Sequence, residues 1–138
     1  MADRHRYTAS LRVVSTELRL GELIAVLGEP TRGHDIGDPV SSRTSTKREH
    51  STWTLDADLD RERPLDEHID PLVAFAEVHR VQLAEIRPRC ELIDIFCGVF
   101  ANDAQGGWEL SPALMQRLAS LDLALAFDLY STSEPTSD

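Results

Sequence analysis

Cysteine is scarce in this sequence and lysine scarcer, with two Cys in all and Lys47 standing alone against thirteen Arg. Cys90 and Cys97 fall within one predicted strand, where seven residues at strand rise span about 23 Å, far beyond the Cα spacing of a disulfide. They cannot pair with each other, and without a CxxC or Cys/His spacing they suggest no zinc site. Two small apolar thiols in a reducing compartment remain. No run approaches the roughly 18 apolar residues of a membrane span. Met1 to Arg6 are charged and polar with no apolar stretch after them, so no secretory signal is expected and the expected location is the cytoplasm. Catalytic signatures are missing too. His5, His34, His50, His68 and His79 show no HExxH spacing, no GxSxG occurs, and neither Cys has an evident His partner. Gly28 to Gly33 is followed by His34 and Asp35 instead of the Lys and Ser/Thr of a phosphate loop. No catalytic residue, metal or cofactor is expected, and an enzyme is the less favoured reading.

What the chain does have is acid. Its 138 residues carry a net charge of -10, and residues 51 to 138 hold 17 acids against six Arg. Such a surface repels phosphate backbones and anionic lipid, so neither nucleic acid nor membrane is an expected partner. It favours a basic protein partner, although an acidic surface also serves simple solubility.

The apolar residues fall into a repeated order. Tyr7, Ala9, Leu11 and Val13 alternate as a half-buried strand, and Leu20, Leu23, Ile24 and Leu27 form one helical stripe stopped by Gly28 and Pro30. Residues 29–50 show no sustained period and read as a long loop, of the kind that is often functional or mobile. Residues 51–56 alternate as a short strand with Trp53 and Leu55 on one side, and 56–62 read as a solvated acidic loop. Leu65, Ile69, Leu72, Val73 and Ala76 share a helical stripe, which Pro71 either kinks or restarts as a second helix. Residues 90–100 are the strongest strand, apolar on much of both faces and therefore central. After a turn at Gly106 and Gly107, Ser111 caps a helix with Pro112 at its first position. A last strand places Leu123, Leu125, Phe127 and Leu129 on one face, and the tail 131–138 reads as disordered. Leu23, Ile24 and Leu27 match Leu114, Met115 and Leu118 in a faint internal similarity.

These elements predict one α+β domain over residues 1–130. Its four-stranded sheet has helices mainly on one face, in a βαβ-α-βαβ order related to ferredoxin-like folds. Tyr7-Thr-Ala-Ser-Leu-Arg-Val13, Leu27-Gly-Glu-Pro-Thr31, Gly37-Asp38, Trp53-Thr-Leu55, Leu65-Asp-Glu-His-Ile69, and Leu110-Ser-Pro112 leading to Phe127-Asp-Leu-Tyr130 resemble, in order and spacing, a bacterial family called domain of unknown function 4279. The resemblance spans nearly the whole chain, outside the loop from His34 to His50. It implies the fold and brings no activity with it.

With the apolar faces turned to the helices, Thr8, Ser10, Arg12, Thr52, Thr54, Asp94, Phe96, Asp128 and Tyr130 share the open face of the sheet. Arg12 is the natural partner of Asp94 or Asp128, and the two carboxylates together also allow an acid/base pair or a cation site. The candidate binding residues are Arg12, Asp94, Asp128 and Tyr130, joined by Arg32 and Asp38 from the long loop and by Trp53. The favoured function is non-catalytic binding of a basic protein through the acidic surface, as small acidic immunity proteins do. A small-molecule binder or enzyme closing the 29–50 loop over the open face is the alternative. A third reading is a homodimer through edge strands or open faces.

Overall fold

The computed structural model of the chain describes residues 5–101 and 107–131. The tail from 132 onward and Gly106 of the expected turn lie outside the described residues. In chain order the elements are β1 (Arg6–Ser15), α1 (Leu20–Leu27), β2 (Arg32–His34), β3 (Ser51–Asp56), α2 (Leu65–Val78), α3 (Arg80–Ile86), a 3₁₀ turn (Arg87–Arg89), β4 (Leu92–Ala101), α4 (Pro112–Ser120) and β5 (Ala124–Ser131). The strands form one mixed sheet in the order β2-β3-β1-β4-β5. The architecture is α+β as expected, with five strands instead of four.

The extra strand explains a second difference. β1 runs antiparallel to both β3 and β4, and the single parallel pair is β4 with β5. Because β2 and β3 are also antiparallel, β2 points the same way as β1 with β3 between them. The first strand-helix-strand unit therefore ends on β2, whereas the second, β4-α4-β5, ends on an adjacent strand. The pairing does not establish a ferredoxin-like order, and the internal similarity of the two halves stops at their helices. β2 was illegible because three residues are too short to show a period. Its Gly33 sits where a Cβ would lie 3.0 Å from both Leu20 methyls.

The core follows the alternation. Tyr7, Ala9, Leu11 and Val13 of β1 and Ile93, Ile95, Cys97 and Val99 of β4 are buried on one face, beneath Leu23, Ile69, Leu72, Val73 and Leu118 from the helices. Burial pushes the Cys97 thiol up to about 12, and both cysteines are free. α2 continues unbroken through Pro71, so no second helix starts there, and the break comes instead at His79, whose ring stacks on Phe75 at 4.0 Å. Ser111 caps α4 as expected, its hydroxyl accepting from Leu114 N–H at 3.1 Å. Only Leu123 of the last strand's apolar row is buried. Phe127 is 44% exposed and Leu129 63%, because β5 is an edge strand that the helices leave partly uncovered. Among the described residues no helix is long and apolar enough to cross a membrane.

The long loop is tied down by its own backbone and by Asp35. Gly37 N–H donates to Arg48 O, Arg48 N–H to Asp38 O, and Val40 N–H to Thr46 O, while Pro39 bridges Lys47. The Asp35 carboxylate accepts from Leu20 N–H at 3.0 Å, from Ser51 Oγ at 3.1 Å and from two nitrogens of Arg19. A loop residue thus caps the first turn of α1, and chiefly the Arg19 guanidinium holds its carboxyl well below the usual carboxylate range. Asp35→Ala frees an orphan helix donor and unpins the loop. We expect it to lower stability by about 1–2 kcal/mol, read as a shifted urea midpoint at unchanged slope. An unshifted midpoint would show that the cap contributes nothing.

Candidate functional site

The register brings the open-face residues together as expected, but not into one site. One row runs Arg32, Thr54, Arg12, Asp94, Ala124 across all five strands. Arg12 grips Asp94 with two hydrogen bonds, Nε to Oδ1 at 2.9 Å and Nη2 to Oδ2 at 2.7 Å, and its guanidinium lies 4.4 Å from the Phe96 ring centroid. Asp94 is only 3% exposed. Arg32 pairs with Asp56, which also accepts from Ser10 Oγ. Farther along the sheet Tyr130 donates to Asp128 and stacks on Phe100 at 4.7 Å. The hydrogen bond to Asp128 raises the Tyr130 phenol's pKa.

Asp94 pairs with Ala124 while Asp128 pairs with Gly98, so the two carboxylates lie about 13 Å apart along the strands. They cannot share a proton or a cation, and Arg12 belongs to Asp94 alone. Trp53 stands on the other face, 0% exposed, donating from Nε1 to Gly28 O at 2.8 Å. It is a core residue that no open-face ligand reaches. Asp38 serves the loop's own turn, accepting from Asp35 N–H. Most polar groups of this face are thus already partnered within the protein.

A second region was not foreseen. At the start of β1 a cleft of about 820 Å³ opens between β1, the first turn of α2 and residues 107–109. His5, Tyr7 and Trp108 supply aromatic surface, with His5 edge-on to both neighbours at 6.3 Å. Glu62, Asp66, Glu67 and Glu109 supply carboxylates. Glu67 is held by Arg63, and no ion pair joins Glu62, Asp66 or Glu109 to any of the described residues. Asp66 and Glu67 also suit the positive end of α2; Glu62 and Glu109 have no such helical role. The sequence could not announce this grouping, since its parts lie up to about a hundred residues apart and carry no shared spacing.

Beside the cleft, His68 is 1% exposed, its ring tilted against Tyr7 and its Nε2 without a partner among the described residues. It is buried among the helical stripe of α2, with Leu65, Ile69 and Leu72. Burial first of all lowers its pKa, with the backbone of Arg63 and Asp60 opposing in part. Below about pH 6.5 the unfolded chain takes up a proton that the folded ring refuses, so stability falls as the pH drops toward the folded value. The limiting slope is about 1.4 kcal/mol per pH unit. The depressed carboxyls of Glu77 and Glu91 act only at lower pH. Between pH 7 and pH 5.5 the wild type should lose more stability than His68→Gln in urea melts. Equal losses would remove His68 from the pH response.

No curated protein and no solved structure matches the chain. A family model described as Domain of unknown function (DUF4279) matches residues 5–132, spanning the whole sheet and every helix. The chain belongs to the DUF4279 family.

Proposed function

We infer that this protein is a non-catalytic binding protein of the bacterial cytoplasm whose acidic surface engages a basic protein, in the way small acidic immunity proteins do. The carrying observation is the contrast between its two faces. Open-face charges are spent on each other, whereas Glu62, Asp66 and Glu109 converge on a cleft with no cation among the described residues to neutralise them. Unneutralised carboxylates gathered on one surface attract a cationic partner and steer its approach. The test is an affinity pull-down of the tagged protein from host lysate at low and high salt, against a charge-matched control. A basic protein retained at low salt by the wild type but not by Asp66→Lys/Glu109→Lys supports the reading. Retention by both proteins contradicts it.

A second reading rests on the hollow of about 350 Å³ where the 39–50 loop lies beside Val14 and Thr52, lined also by Val40, Lys47 and His50. Here a small molecule would bind under the loop on the open face. Its binding would be insensitive to salt, and it would appear as a ligand-induced rise in melting temperature in a metabolite screen.

A further inference from the structure

We propose that this protein is a symmetric dimer in which β5 pairs antiparallel with β5 of a second copy, joining the two sheets edge to edge. The proposal goes beyond the basic-partner reading and does not depend on it.

The two edges of the sheet are built differently. β2 ends one side with three residues, Arg32-Gly33-His34, too short and polar to template another strand. β5 ends the other side with eight, Ala124 to Ser131, and holds no Pro, no Gly and a single charge, Asp128. Among the described residues its only strand neighbour is β4, in a register that runs unbroken. Proteins that keep a long edge unpaired blunt it with Lys, Pro or a bulge, and β5 has none of these. Exposed apolar side chains gather at the same edge. Phe127 and Leu129 stand on the helix side with the Trp108 ring 6.1 Å from Phe127, and Tyr130 stands on the open side. Trp108 is 40% exposed and Tyr130 42%. At roughly 200 Å² per large side chain, the four leave roughly 400 Å² of apolar surface uncovered. That is about half of what each partner buries in a stable interface, and the strand's backbone and flanking residues fall in the same contact.

A second copy fits this edge better than a basic protein does. The charged residues of 110–131 are Asp122, Asp128 and Arg117 alone, so in a chain of net charge -10 two copies meet here with little repulsion, and a cation gains little. The residues of β5 also select a register. A two-fold axis perpendicular to the sheet keeps every side chain on its own face, so the axis passes through a residue that pairs with itself. Centred on Phe127, it pairs seven residues of the strand. Phe127 then faces its own copy and Leu125 faces Leu129, while on the open face the small Ala124 and Ala126 face Tyr130 and Asp128. Centred on Asp128, it opposes two carboxylates, which is destabilising. Centred on Ala126 or Leu129, it pairs only five residues. Pairing uses up the exposed edge of both copies, so assembly stops at two.

Sedimentation velocity on the full-length protein from about 1 to about 200 µM reads the association, and circular dichroism confirms that each variant is folded. The wild type should sediment as a dimer at the upper end of the range. Leu129→Lys, at the most exposed large apolar position of the strand, should weaken association at least about tenfold. Val78→Lys, at an exposed apolar position on α2, should leave it unchanged. Phe127→Cys sets two thiols on the axis within disulfide reach, and mild oxidation should give a covalent dimer that the wild type does not give. Leu129→Cys should not crosslink, because its counterpart lies four residues along the strand, about 13 Å away. The crosslinks carry the test if Leu129→Lys is not folded. A monomer throughout the range, a dimer indifferent to Leu129→Lys, or crosslinking through Leu129→Cys in place of Phe127→Cys overturns the proposal.

Discussion

Trp53→Ala should cost about 3–5 kcal/mol, a large share of the 5–15 kcal/mol that holds a typical domain folded. The indole is wholly buried where β3 pairs with β1, its ring 5.7 Å from Phe75 of α2 and its Nε1 bonded to Gly28 O at the end of α1. Truncation leaves a cavity joining three elements and orphans the Gly28 carbonyl, so transfer, cavity and hydrogen-bond losses add. Trp53→Phe should lose less, because it refills most of the cavity and forfeits chiefly the hydrogen bond. Urea denaturation followed by circular dichroism gives both values. A Trp53→Ala loss below about 1 kcal/mol would mean that the indole does not anchor the core.

The second large effect is an asymmetry at the Arg12–Asp94 pair. Asp94 is almost fully buried, whereas about 30% of the Arg12 side chain remains exposed. Arg12→Ala strands a buried carboxylate, which typically costs 3–5 kcal/mol. Water reaching the vacated guanidinium site should reduce this to about 2–3 kcal/mol. Asp94→Ala leaves a guanidinium that can turn to solvent and keep its contact with Phe96, so it should cost about 1 kcal/mol. The double variant should sit close to Asp94→Ala, since removing the second partner relieves the stranded charge. Equal losses from the two single variants would contradict the burial asymmetry.

The same pair marks what could be read from the residues alone. Period-two alternation identifies β1, β3, β4 and β5 and the face each residue takes, so it alone puts Arg12, Thr54 and Asp94 on the open face. Helical stripes with Gly28 and Ser111 locate the C-terminal end of α1 and the start of α4. Strand order was not legible, because alternation says which face is buried and nothing about which neighbour lies beside it. That is why Asp128 was grouped with Asp94, although register sets them far apart. β2 and the Asp35 cap were missed because both depend on contacts across the loop with no local pattern. The cleft escaped for the same reason: His5, Asp66 and Glu109 meet only through tertiary packing.

The central claim is that unneutralised acid on this surface recognises a basic partner. It is tested most directly by titrating the captured partner against wild type and Asp66→Asn/Glu109→Gln from about 50 to about 500 mM salt, where screening of exposed charges becomes nearly complete. The account predicts an affinity that falls at least about tenfold for the wild type, with a shallower dependence for the variant. An affinity independent of salt, or the same slope in both proteins, would contradict it.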